Sequence, residues 1–322
     1  MASSSPTGVL LAQLGTPDAP TASAVRRYLG QFLGDRRVVD LSPWLWRPIL
    51  HGIILRVRPR RSAALYRNIW TPEGSPLLTI SRAQAAGVAA RLGERFRVEL
   101  GMRYGNPPLP DALTRLVEAG CQRIVVLPLF PQFSCSTSAS VFDAVAAWAR
   151  GRRDVPDLRF VHGFADDPGW IAALAERVRA SGAVLGPQAP LLISFHGVPQ
   201  RYVDQGDPYF RECRATAGAL AAALKLAPDA WRVIFQSRFG REPWLQPYAD
   251  EVFPALPKGG VRTVTVLAAS FTADCLESLD ELGREYRHRF FEAGGTSYTL
   301  VPCPNDRPAA LDALTAIVRS HA

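Results

Sequence analysis

The sequence predicts an α/β protein made of two similar doubly wound domains with parallel sheets, related by duplication, with a site in the cleft between them. Three internal echoes, in the same order in each half, carry that expectation. LLAQLGTP at residues 10–17 echoes LISFHGVP at 192–199, so Leu14 corresponds to His196 and Gly15 to Gly197. Arg103-Tyr104-Gly105 echoes Arg238-Phe239-Gly240, and Cys135 in FSCSTS echoes Cys275 in ADCLES. Each echo sits where an apolar run gives way to small or polar residues, as when a buried parallel strand hands over to a loop and helix. Histidine and carboxylates concentrate on the second copy.

The elements follow from the same alternation. Apolar runs place strands at 8–14, 97–102, 123–129 and 158–162, then at 190–195, 232–236, 261–269 and 296–301. Alanine- and arginine-rich segments with helical spacing lie between them, at 82–94, 143–150, 170–181 and 207–225. Strand–helix alternation at this interval builds a parallel sheet covered on both faces, here twice. A chain of 322 residues holds two domains of about 100–200 residues each. The expected division is 1–168 for the first domain and 169–305 for the second. A last helix within 306–322 is free to pack back on the first domain.

The two copies differ in one respect. The stretch from Gly15 to Gly105 is much longer than that from Gly197 to Gly240, so the first domain carries an insertion, residues 26–76. It contains Trp44, Leu45, Trp46, Ile49, Leu50, Ile53, Ile54 and Leu55 interleaved with Arg47, Arg56, Arg58, Arg60 and Arg61. Apolar and aromatic residues beside a cationic cluster suit an interfacial helix that meets an apolar, anionic partner. Composition leaves two readings open: a lid helix packed on its own domain, or a surface that grips an amphiphilic ligand, a membrane, or both.

Composition excludes several classes. An apolar share of 48% with 20% charged residues is that of an ordinary globular protein. The five cysteines are scattered, odd in number and never spaced C-x-x-C, against a disulfide framework or zinc knuckle and for a reducing cytosol. The net charge of +8 is offset by 29 acids and accompanied by no DNA- or RNA-binding signature, so no nucleic-acid partner is expected. The N-terminus lacks the pattern of a signal peptide. No stretch approaches the roughly 18–20 apolar residues of a membrane span. There is no G-x-G-x-x-G after the first strand, no P-loop and no G-x-S-x-G elbow.

The candidate chemistry lies in the second half. His196 follows the apolar run 191–195, at a strand's carboxyl end, where open α/β sheets present groups to a ligand. Of the other histidines, His162 also ends a strand and is the rival; His51, His288 and His321 read as solvent-facing. After the run 261–269 come Phe271, Asp274, Glu277, Asp280, Glu281 and Glu285. Glu277, Glu281 and Glu285 recur every four residues, so on a helix they form one acidic stripe. That is either a solvated face or a path for cations or protons; its start at the level expected for His196 favours the path. A third element, Gln236 to Trp244, opens from the end of another strand.

With these residues in view, the chain closely resembles the ferrochelatase family. LGTPDAPT, YRNIWTPEGSPL, GMRYGNP, PLFPQFSCST, SFHGVP, QSRFGREPWLQPY and FTADCLESLDEL occur in the family's order from about Val9 to Asp306. The resemblance implies two flavodoxin-like, chelatase-type domains and insertion of Fe²⁺ into protoporphyrin IX, the last step of haem synthesis, with release of two protons. It assigns His196 and Glu277 the catalytic and metal-binding roles, with Glu281, Glu285 and Asp274 on a metal or proton path. It implies that Arg103, Tyr104, Trp244, Phe271 and Leu14 line the porphyrin pocket, with Ser237, Arg58 and Arg61 near the propionates. Iron enters as substrate. Some relatives bind a [2Fe–2S] cluster largely through a cysteine-rich tail; here Cys303 is the last cysteine, so no cluster and a monomer are expected. The insertion becomes the pocket's lip, with weak peripheral membrane contact through residues 40–61, in a cytoplasmic protein at most held to the inner face of the membrane. Two other readings remain: a chelatase for another tetrapyrrole such as coproporphyrin III, and a non-catalytic haem or porphyrin carrier.

Overall fold

The computed structural model describes residues 5–322. Its strands are β1 (Thr7–Thr16), β2 (Phe96–Gly105), β3 (Arg123–Pro128), β4 (Asp157–Phe160), β5 (Leu191–His196), β6 (Trp231–Gln236), β7 (Thr263–Ala268) and β8 (Ser297–Val301). They form two four-stranded sheets of order β2-β1-β3-β4 and β6-β5-β7-β8. Every neighbouring pair is parallel. The shared strand order confirms the doubly wound α/β expectation.

Two compact units contain these sheets. One runs to Gly163 and takes in Leu314–Ala322; the other is Phe164–Ala313. The last helix, Pro308–Ser320, is therefore divided between them, and Arg319 near its end donates to the Arg91 carbonyl at 2.7 Å.

Each unit is built around a central strand. In β1, Val9, Leu10, Leu11 and Ala12 are fully buried, and in β5 so are Leu191, Leu192, Ile193 and Phe195. These runs are continuous rather than alternating because helices cover both faces of a parallel sheet. Leu10 and Ala12 pack with Leu109, Leu113, Ile124 and Val126. Leu192 packs with Ile234, Phe253, Val264, Val266 and Leu282.

The pairing register revises one of the three echoes. Gln13 pairs with Met102, and Phe195 pairs with Phe235. With Leu14 matched to His196, the position equivalent to Arg103 is therefore Gln236, not Arg238. β2 continues through Arg103-Tyr104-Gly105, whereas β6 stops at Gln236 and Arg238-Phe239-Gly240 lies in the following loop. β2 also outruns its expected end at 102. Arg103 and Tyr104 read as polar loop residues, but Asp35 neutralises one and hydrogen-bonds both.

Helix boundaries shift for local reasons. The helix expected from 82 begins at Pro76 with Ser75 as its cap, because proline at the first helical position is pre-set for the helix and loses no needed donor. In the insertion, helix Pro43–Ile49, a π-helical segment Leu50–Ile54 and helix Leu55–Ile69 follow one another directly. Leu50 and Leu55 are buried, while Trp44 is 89% exposed, Val57 70%, Leu45 69% and Ile53 60%. Trp46 is tied down, its Nε1–H donating to the Leu33 carbonyl at 2.6 Å. An apolar ridge with its own anchor therefore faces outward. Among the described residues no helix is long and apolar enough to cross a membrane.

Candidate active site

His196 is the last residue of β5, and its backbone is held from two sides. Its N–H donates to Ser270 Oγ at 3.2 Å, and its carbonyl accepts from Tyr209 Oη at 2.9 Å. Its Nδ1 lies 2.7 Å from the Gly197 carbonyl oxygen. A carbonyl can only accept, so Nδ1 carries a proton, and in the neutral tautomer that leaves the ring's lone pair on Nε2. That nitrogen can take a proton or ligate a metal. The next residue must be glycine: a Cβ at Gly197 would stand 2.9 Å from the Gln236 carbonyl and 3.1 Å from the Trp244 ring.

The acidic stripe lies on a helix of unexpected kind. Glu277–Tyr286 is π-helical, followed by the α-helix Arg287–Glu292. The i→i+5 closure is rare and frequently marks functional sites. Along it the three glutamates meet different surroundings. Glu277, at its start, is half-buried, and its carbonyl accepts from Gln236 Nε2 at 3.1 Å. Glu281 is held by several donors: Ser237 N–H at 2.9 Å and Tyr286 Oη at 3.1 Å on one oxygen, Gln236 Nε2 at 2.9 Å and Ser237 Oγ on the other. Glu285 is exposed and pairs with Arg289.

Burial is the largest influence on Glu281 and pushes its carboxyl up from the ordinary range. The Ser237 and Gln236 hydrogen bonds and the His196 imidazole pull it down, and Glu277 pushes it up again. His196 and Glu277 thus both act on Glu281, so one locality of the second unit gathers the imidazole and two carboxylates. Ser237 is set for this at a cost: its φ of +66° is in the left-handed region, which a non-glycine residue seldom adopts and which clusters at functional sites. There its N–H and Oγ both reach Glu281.

The other predicted residues of this unit fall around that locality or brace it. Asp274 is buried, and its carboxylate accepts from Ser278 Oγ at 2.9 Å, Cys303 N at 3.2 Å and Asn305 Nδ2 at 2.7 Å. It braces the turn from which the π-helical segment starts. Phe271 is half-buried against the second core. Trp244 packs at Gly197, and its buried Nε1 has no hydrogen-bond partner among the described residues.

The remaining candidates lie in the first unit. Arg103 Nη2 donates to Asp35 at 2.6 Å, and its Nε donates to Ser140 Oγ at 2.7 Å. The Tyr104 hydroxyl donates to the same Asp35 oxygen at 2.8 Å. Tyr104 is 2% exposed; burial, then Asp35, pushes its phenol well above the usual range. Leu14 packs partly buried on the first core. Arg58 is half-buried, and burial together with Arg61 lowers its pKa, while Arg61 itself is exposed. The rival His162 lies flat on Phe133, ring centroids 4.0 Å apart.

Sequence reasoning missed Asp35, Ser140 and Ser194 as residues that hold the candidates in place, and named Gln236 only as the start of the element running to Trp244. Asp35 left a trace: it is the first acid after Asp18 and sits directly before Arg36 and Arg37. Ser194 left none, being a neutral residue within an apolar strand run. Among the described residues no group of three or more His, Cys, Asp or Glu is arranged to hold a metal ion.

Comparison with known proteins decides the family. The family model described as Ferrochelatase matches residues 6–322. The chain belongs to the ferrochelatase family. It is 51% identical over 326 residues to Ferrochelatase 1 of Shewanella oneidensis, covering 100% of this chain and 98% of that protein. It is 48% identical over 314 residues to the ferrochelatase of Yersinia enterocolitica, covering 98% and 97%. Among solved structures, the sirohydrochlorin chelatase SirB from Bacillus subtilis subspecies spizizenii in complex with cobalt matches with a TM-score of 0.59 at 13% identity, covering 98% of this chain and 95% of that one. CbiX, described as the terminal enzyme for biosynthesis of siroheme in denitrifying bacteria, matches with a TM-score of 0.53 at 18% identity, covering 98% and 99%. At those identities the two structures speak for the chelatase-type fold, and the ferrochelatases for the family.

Proposed function

We propose that this chain inserts Fe²⁺ into protoporphyrin IX to give protohaem, with release of two protons, the final step of haem biosynthesis. Two pyrrole protons must leave, the hydrated cation must shed water, and the ring must pucker so that its nitrogens point at the metal. The observation that carries the reading is the contact His196 makes: its Nδ1 donates to the Gly197 carbonyl, which leaves Nε2 as the nitrogen that accepts a proton or ligates iron. Glu277 and Glu281 supply hard oxygen donors for the ion or acceptors for the protons, and Glu285 extends the stripe to solvent. Asp274 acts on that path through the turn it braces. Iron is the substrate.

In this reading Trp244, Phe271, Leu14 and Arg103 bound the porphyrin, with the buried Tyr104 supporting Arg103 through their shared Asp35; Arg58 and Arg61 meet its propionates, and Ser237, whose N–H and Oγ are committed to Glu281, acts beside them through that carboxylate. Aromatic faces hold the macrocycle by stacking and dispersion, and guanidinium groups match carboxylates. In this reading the protein carries no [2Fe–2S] cluster: such clusters are held by grouped cysteines, and the five here are scattered and never spaced C-x-x-C. It acts as a monomer in the cytoplasm, and its outward ridge of Trp44, Leu45, Ile53 and Val57 makes weak contact with the inner face of the membrane.

Anaerobic spectroscopic assay of Fe²⁺ and Zn²⁺ insertion tests this. The wild type converts protoporphyrin faster than coproporphyrin III; the reverse order would transfer the reading to the more anionic substrate. His196→Ala loses about 10²–10⁴ in turnover, the range of a positioned acid–base group, while fluorescence quenching shows porphyrin still bound. Unchanged turnover in that variant would leave a porphyrin carrier as the better account.

A further inference from the structure

Gln236 does more than end a strand. It is 1% exposed, and its backbone carbonyl and both ends of its carboxamide are engaged. Its backbone carbonyl accepts from Gly197 N at 2.7 Å. Its Oε1 accepts from Ser194 Oγ at 2.7 Å. Its Nε2 donates to Glu281 Oε2 at 2.9 Å and to the Glu277 carbonyl at 3.1 Å. Ser194, itself fully buried, stands two residues before His196 on β5, so both side chains leave the same face of the strand.

The carboxamide's direction is dictated, not optional. A carboxylate and a carbonyl both only accept, so the group facing them must be the two-proton NH₂ end. The oxygen end then faces Ser194, whose hydroxyl has to donate. One side chain therefore ties the strand that carries His196 to the first turn of the π-helical segment and to the Glu281 carboxylate. No other neutral side chain of that length except glutamine offers two donors at one end and an acceptor at the other.

We infer that Gln236, oriented by Ser194, is a positioning residue for metal insertion: it sets Glu281 and the Glu277 turn relative to His196 without touching the reacting atoms. This rests on the metal-insertion reading above. In the strand register Gln236 occupies the place that Arg103 takes in the first unit, so the duplicated position has been given a different task in each copy.

The test is a double-mutant cycle of Ser194→Ala, Gln236→Met and their combination, with wild-type insertion of Zn²⁺ into protoporphyrin measured first. Gln236→Met keeps the length of the side chain and removes the hydrogen bonds. A hydrogen bond to a charged group corresponds to roughly ten- to hundredfold in rate when it is lost; kcat is expected to fall by about that factor, with KM for porphyrin changed less than about twofold. Ser194→Ala is expected to lower kcat less, and the combination to be no worse than Gln236→Met alone, because Ser194 acts through Gln236. Losses in kcat that simply multiply, or a lowered Tm with unchanged kcat well below the transition, would overturn the inference. If Gln236→Met does not fold, Ser194→Ala decides by the split between kcat and KM. An inactive wild type would instead remove the functional reading on which the inference rests.

Discussion

Glu281→Gln probes the site most directly, because the donors around that carboxylate are few and their chemistry is known. Ser237 N–H and Gln236 Nε2–H can only donate; the Ser237 and Tyr286 hydroxyls can turn and accept. A glutamine offers one oxygen and one NH₂ in place of two oxygens. Whichever way it points, the NH₂ meets one obligate donor, since Ser237 N–H faces one oxygen and Gln236 the other. The variant thus strands one buried donor, a loss of about 1–3 kcal/mol. Against this, it removes a charge whose burial already raises the wild-type pKa above 4.5. With the folded pKa above the unfolded one, the native wild type binds the proton more tightly, so its stability falls as pH rises between those two values. The variant has no such slope. Thermal unfolding of metal-free protein from pH 4 to pH 8 is therefore expected to show the variant less stable at the acid end, with the gap narrowing as pH rises. A gap that widens with pH would show the opposite balance, with the hydrogen bonds outweighing desolvation and Glu281 held as a favourable anion.

Two further outcomes follow from other parts of the molecule. Asp35→Ala leaves Arg103 without its counter-ion and Tyr104 without its acceptor; Arg103's side chain is 23% exposed, so a loss of about 2–3 kcal/mol is expected, short of the roughly 3–5 kcal/mol of a fully buried broken pair, read from the urea midpoint. Replacing Trp44 and Val57, 89% and 70% exposed, together by serine is expected to abolish a weak, salt-sensitive co-sedimentation with anionic vesicles while leaving turnover on detergent-dispersed porphyrin within about twofold; equal sedimentation of wild type and variant would confine the ridge to the porphyrin.

The doubly wound architecture was legible in the residues alone, because buried parallel strands write themselves as continuous apolar runs such as IVVLPL and TVTVLAAS, and His196 and Glu277 to Glu285 stood out as candidates because histidine and spaced acids contrast with such runs. The sequence also marked the apolar, arginine-rich insertion. Tertiary structure alone decided what surrounds those groups. That Nε2 of His196 is the free nitrogen depends on where the Gly197 carbonyl turns, and that Glu281 differs from Glu285 depends on burial, which an identical four-residue spacing conceals. The roles of Gln236 and Ser194 became visible only through register: the chemistry of a neutral side chain lies in which acceptor and which donor the fold sets at either end.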